Sequence, residues 1–143
     1  MFSNSSKYAI KAVLFLAIHS DENNKIMVKD IADPINVPQA YIAKLLQELA
    51  KHKLISSTRG PKGGFFLSQD DKQGNVLDII KVIDDDKKLN SCMLSLKFCN
   101  ASNPCPIHHL VSQPRDLIIN NLKSKTILEL AIHVENGTSR LPL

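Results

Sequence analysis

The sequence predicts a mainly α-helical chain with one small β-hairpin, on three observations. Two short helical segments are joined by the breaker Asn36-Val37-Pro38, a glycine-rich hairpin follows at once, and a later apolar helix has no subsequent domain to cover it. At 143 residues, with 43% hydrophobic and 22% charged residues, the chain is one domain in size and can build a packed core.

Ser5 or Ser6 can cap a first helix running to about His19, in which Ala9, Ile10, Val13, Leu14, Ala17 and Ile18 fall on one stripe. Asp21-Glu22-Asn23-Asn24 is a polar loop that ends it. Val28 to about Ile35 forms the next helix, with Pro34 an irregularity inside it. Pro38 suits the opening position of a third helix, which runs to about His52 with Tyr41, Ile42, Leu45, Leu46 and Leu49 as its apolar stripe. Leu54–Thr58 and Phe65–Leu67 read as two short strands around the turn Arg59-Gly60-Pro61-Lys62-Gly63-Gly64, which holds three of the five glycines. Val76–Ile83 is a further short helix, closed by the solvated run Asp84-Asp85-Asp86. Pro114 opens a helix bearing Leu117, Ile118, Ile119 and Leu122, and the capping box Thr126…Glu129 starts a last one through Ile132. There is no internal repeat.

Two helices around a tight turn, then a hairpin with a basic tip, make a winged helix-turn-helix. Charge agrees with that reading. Residues 38–62 hold Lys44, Lys51, Lys53, Arg59 and Lys62 against Glu48 alone, whereas residues 70–90 hold six Asp against four Lys. Such a segment reads either as a solvated helix face or as a surface for double-stranded DNA, and the adjoining glycine hairpin favours DNA. Gln39, Tyr41 and Lys44 are then candidates for the major groove. Arg59, Gly60, Lys62, Gly63 and Gly64 are candidates for the wing, with glycines that bring the backbone close to a phosphate strand and Arg59 placed for the minor groove.

Cys92, Cys99 and Cys105 are the only cysteines, separated by six and five residues, and His108 lies just beyond them. An odd number of thiols argues against a disulfide framework and toward metal or redox chemistry. Three thiolates and an imidazole can hold an iron–sulfur cluster or a zinc ion. The gaps are wider than those of most structural zinc sites, which favours a bulkier cluster and leaves zinc and metal-free thiols as alternatives. A thiol oxidoreductase would need a close C-x-x-C pair, which the chain lacks, and no catalytic constellation is found, so the chain is not expected to be an enzyme.

The stretches Lys7-Tyr8-Ala9-Ile10-Lys11-Ala12, Tyr41-Ile42 with Leu45-Leu46, and Leu54-Ile55-Ser56-Ser57-Thr58-Arg59-Gly60-Pro61-Lys62-Gly63-Gly64-Phe65 resemble the IscR/NsrR/CymR group of bacterial winged-helix regulators. The last is highly specific, and Pro104-Cys105-Pro106-Ile107-His108 resembles the cluster-binding members. The resemblance extends over nearly the whole chain. It implies a homodimer with crossing C-terminal helices and each cysteine loop near the partner's DNA-binding domain. It also implies a 2Fe–2S or 4Fe–4S cluster on Cys92, Cys99 and Cys105. His108 maps onto the fourth ligand of IscR-like members. Some NsrR-like members use an acid near the partner's first helix instead, and no acid precedes Asp21 here. The first cysteine gap is one residue longer than is usual for IscR, so the cluster type does not carry over. Ala43 stands where IscR has a glutamate that tunes operator choice, so the operator does not carry over either.

These readings assign residues 1–85 to a winged-helix DNA-binding domain, 86–112 to a cysteine-rich cluster loop, 113–135 to dimerisation helices and 136–143 to a flexible tail. The expected function is a cytoplasmic transcriptional repressor that binds a palindromic operator. An iron–sulfur cluster sensing redox state, nitric oxide or iron–sulfur status would control its affinity. The competing readings are the same fold with zinc or direct thiol sensing, and a zinc-stapled interaction module without a DNA role. No apolar stretch suggests a membrane span or signal peptide.

Overall fold

The computed structural model describes residues 2–143. Helix α1 (Asn4–His19) begins earlier than its serines suggested. Ser3, in extended backbone, is the cap, and its hydroxyl accepts from the Ser6 N–H at 3.0 Å. Ser5 and Ser6 are therefore helical, and Ser6 is fully buried. Ala9, Ala12, Val13, Leu16 and Ala17 carry the buried face of α1. The alanines on this face let neighbouring helices approach closely.

Helix α2 (Val28–Ile35) ends where Asn36 turns left-handed and donates to the carbonyls of Ala32 and Asp33. Pro34 sits in this last turn, where its missing N–H forfeits one intrahelical bond just before the helix stops. In helix α3 (Gln39–Lys51), Pro38 is the N-cap, so the first helical residue is Gln39. Ile42, Leu45, Leu46 and Leu49 face the core.

The first hairpin strand is shorter than the sequence reading and the second starts one residue earlier: β1 (Ser56–Thr58) and β2 (Gly64–Phe66), antiparallel, with Ser57 opposite Phe65. Phe65 also exchanges backbone bonds with Ile26 at 2.8 and 2.9 Å, a bridge the sequence did not announce. At the wing's base the buried Ser20 hydroxyl donates to Leu16 O at 2.6 Å and accepts from Leu67 N at 3.1 Å, fastening the hairpin to the end of α1. A Cβ on Gly63 would lie 2.3 Å from the Thr58 carbonyl oxygen, and one on Gly64 2.7 Å from that of Ile26, so both positions exclude a side chain.

After a 3₁₀ turn (Asp71–Gln73) come α4 (Val76–Asp84), capped by Asn75, and the short α5 (Asp86–Leu89). Helix α6 (His108–Ser124) starts six residues before Pro114, which lies inside it instead of opening it. Pro114 is exposed and so is Leu110, whose carbonyl loses its partner, so water can satisfy that carbonyl on the outer face. Helix α7 (Ile127–Glu135) has the expected capping box: Thr126 Oγ1 accepts from Glu129 N at 3.1 Å, and Glu129 accepts from Thr126 N at 2.8 Å.

The core is built around α1, against which α2, α3, α4 and α7 pack. Leu16, Ile31, Ile42, Leu46, Leu49, Leu67 and Ile80 are fully buried within it. Ile127 and Ala131 place α7 in the same core, whereas α6 lies against α4 and leaves Leu110 and Leu117 exposed. Among the described residues, no helix is long and apolar enough to cross a membrane.

The acidic run at the end of α4 is more than a solvated helix end. Asp84 accepts a bond from the Ser3 N–H at 3.1 Å and so ties α4 to the start of α1. Burial opposes ionisation of Asp84, but the bonds from Ser3 outweigh it and hold the carboxyl below its ordinary range. A lowered carboxyl contributes stability above its unfolded pKa and loses it as pH falls through the folded value. Asp84→Asn is expected to cost about 1 kcal/mol at neutral pH, a figure reduced for solvent screening. The difference from wild type should vanish in acid melts, and a pH-independent difference would contradict the role. Gly63→Ala is expected to cost roughly 1–3 kcal/mol in thermal melts through the clash with Thr58, and an unchanged melt would contradict the turn geometry.

Candidate nucleic-acid interface and sulfur site

Helix α3 and the hairpin form one face. The buried stripe of α3 leaves Gln39, Ala40, Lys44, Gln47 and Lys51 outward. No side chain caps the N-terminus of α3, so its first backbone N–H groups remain available to an anion. Between α3 and the hairpin runs a groove of about 590 Å³, lined among others by Gln47, Lys51, Ser57, Thr58 and Arg59. Among the described residues none of Lys44, Lys51, Arg59 and Lys62 lies within 4.0 Å of a carboxylate. A face of internally neutralised ion pairs would look different. These cations are free to meet an external polyanion.

The candidate residues do not all behave alike. Gln39 and Lys44 are exposed on α3, and Arg59, Gly60 and Lys62 are exposed at the wing tip. Gly63 and Gly64 shape the turn, with Gly63 N donating to Gly60 O at 2.9 Å. Tyr41 turns back to α1 instead: its hydroxyl shares a 2.6 Å hydrogen bond with Ser5, and its ring meets Tyr8 edge-on at 6.0 Å. Gln47, Lys51, Ser57 and Thr58 also line the groove, although the sequence reading does not single them out as site candidates. Lys51 belonged to the basic cluster, and the i+7 spacing from Lys44 could have placed it on the same helix face.

The cysteine segment joins α5 to α6. Cys92, Cys105 and His108 are buried, and Cys99 is half-buried. Cys99 Sγ lies 3.3 Å from His108 Nδ1. Cys92 receives the backbone N–H of Leu96, which does most to hold its thiol below the ordinary value against the effect of burial. The Leu94 N–H, the Cys105 thiol and the charge of Arg115 act in the same direction. Of the four donors, Cys99 and His108 lie in direct contact. Among the described residues no three Cys, His, Asp or Glu side chains converge as a finished metal cage.

Arg115, on α6, reaches into this segment. Its two terminal nitrogens lie 3.7 and 3.8 Å from Cys99 Sγ, and one of them donates to Ser91 O at 3.3 Å. Its Nε is buried without a hydrogen-bond partner, since the 4.0 Å approach of Asp116 is too long for one. Three soft thiols, an imidazole and a half-buried cation with an unused N–H fit a negatively charged, sulfur-bound metal group in donor chemistry.

The family model described as an iron-dependent transcriptional regulator, Rrf2, matches residues 2–133. A protein of Aquifex aeolicus (strain VF5), provisionally named an HTH-type transcriptional regulator, is 33% identical over 137 residues, covering 94% of this chain and 93% of its own. The HTH-type transcriptional regulator IscR of Photorhabdus laumondii is 29% identical, covering 93% of this chain and 80% of its own. Among solved structures, CymR, the global cysteine regulator of B. subtilis, superposes with a TM-score of 0.75 at 24% identity, covering 93% of this chain and 97% of its own. That likeness shows the same winged-helix fold. The chain belongs to the Rrf2 family of transcriptional regulators.

Proposed function

We propose that this regulator is a homodimeric repressor whose hold on a palindromic operator is set by an iron–sulfur cluster on Cys92, Cys99, Cys105 and His108. The observation that carries the DNA half is the groove between α3 and the wing, with Lys51 and Arg59 on its walls and, among the described residues, no carboxylate within 4.0 Å of them. In this reading α3 enters the major groove, with Gln39, Lys44 and Gln47 toward bases and phosphates. Tyr41 orients α3 through Ser5. Arg59 and Lys62 grip the minor groove and backbone, while Gly60, Gly63 and Gly64 keep the wing thin enough to approach.

The dimer is supported by exposed apolar side chains. Met93, Leu94, Leu96 and Phe98 in the cysteine segment and Leu110 and Leu117 on α6 are all about half exposed or more, Phe98 reaching 74%. So much apolar surface on neighbouring elements suits a two-fold partner better than water.

When bound, an iron–sulfur cluster supplies a centre that exchanges an electron or is dismantled by oxidants and nitric oxide. The residues around it connect to the DNA face. Arg115 holds Ser91 beside α5, Asp84 just before α5 holds Ser3, and Ser5 holds Tyr41 on α3. Rearrangement of the cysteine segment therefore bears on the angle of α3. Two recognition helices must sit roughly 34 Å apart to read one face of DNA, so a small rotation weakens binding.

The test pairs two measurements on anaerobically purified protein. Iron and sulfide should be found with a brown visible spectrum. One zinc per chain without sulfide would instead leave the fold and DNA role with a zinc site, and a metal-free chain that resists reconstitution would leave thiol sensing alone. On a palindromic duplex selected from a random-sequence library, Arg59→Ala should weaken binding by about 1–3 kcal/mol. It should also lower the slope of log affinity against log salt by about 0.9. Wild-type affinity in that variant would reject the wing's role.

A further inference from the structure

We propose that Arg115 is a positioning residue for the sulfur site, its guanidinium donating to Cys99 and stabilising the more negative state of the bound cluster. This assignment rests on the cluster reading above and adds to it a residue outside the thiols and imidazole.

Three features set Arg115 apart from the other cations. Its side chain is only 12% exposed, whereas the lysines in ion pairs here are 41% and 60% exposed. Both terminal nitrogens face one sulfur, at 3.7 and 3.8 Å, which is the two-pronged approach a planar guanidinium makes and a lysine cannot. Its Nε is buried with no acceptor, an arrangement that costs free energy unless another acceptor completes it. Among the described residues, the one carboxylate within 4.0 Å of it, Asp116, is 67% exposed, so water screens that long pairing. The bond to Ser91 O ties the same side chain to the residue preceding Cys92, so one guanidinium spans both ends of the Cys92–Cys99 stretch.

The chemical consequence follows from charge. A cluster on three thiolates and one imidazole is net negative, and accepting one electron makes it more so. A fixed cation beside a ligand sulfur in a part-buried setting favours the reduced form and raises the midpoint potential. N–H donation to the sulfur acts in the same direction.

The test is a reductive titration, with dithionite and mediators, of reconstituted wild type, Arg115→Gln and Arg115→Lys, followed by visible absorption and electron paramagnetic resonance. Arg115→Gln should make reduction harder by about tenfold in equilibrium constant, or about 59 mV for a one-electron couple. Arg115→Lys should recover most of that loss by restoring the charge. If the Gln variant folds by circular dichroism yet cannot retain a cluster that the Lys variant retains, the assignment also stands. Equal potentials in all three proteins overturn it, as does failure of both variants to hold a cluster, which would mark Arg115 as packing alone. A wild-type chain that forms no cluster under reconstitution overturns the cluster reading and this assignment together, and the wild-type sample separates that case from the others.

Discussion

The burial of α1 is the constraint on which the rest of the structure depends. Ala9, Ala12 and Leu16 have no solvent exposure, and their small or slender surfaces let α2, α3, α4 and α7 close around one helix. Burying such a set contributes on the order of 1–3 kcal/mol per large aliphatic side chain, which holds both DNA-facing elements and the stalk of the cysteine segment on one axis. The polar contacts along α1 then give direction to that packing. Ser3 takes Asp84 from the cysteine side, Ser5 takes Tyr41 of α3, and Ser20 takes the base of the wing. A single rigid element therefore touches each part that a transcriptional switch would need to coordinate.

Much of this was legible in the residues. Apolar spacing gave α1, α3 and α4 close to their observed limits, and the capping box at Thr126 and Glu129 gave the start of α7, because local chemistry decides those features. Proline was the less reliable guide. Pro114 looks like a helix start, yet α6 extends through it, since an exposed carbonyl one turn earlier can be left to water. The bridge between Ile26 and Phe65, the roles of Ser20 and Asp84 and the turn of Tyr41 toward Ser5 all depend on residues distant in sequence. No local pattern encodes them.

The candidate sites divide in the same way. The basic helix and glycine wing announce themselves by charge and turn chemistry, but their shared groove, and with it Lys51 and Gln47, exists only once α3 and the hairpin are packed. The thiols and His108 are conspicuous in the sequence, whereas Arg115, ten residues past the last cysteine, becomes notable only through its approach to Cys99 and its unpartnered Nε. Ligand spacing thus points to candidate side chains, and tertiary packing supplies the neighbours that would set how they behave.

Coupling between the cysteine segment and the DNA face is the central claim. It is tested most directly by fluorescence-anisotropy titration of one operator duplex, at fixed salt and protein stock, with the proposed sulfur-bound metal group reconstituted and after its removal. A change in Kd of about fivefold or more is expected, within the usual range of coupling between two sites. Equal affinities in the two states would mean that the cysteine segment does not control DNA binding.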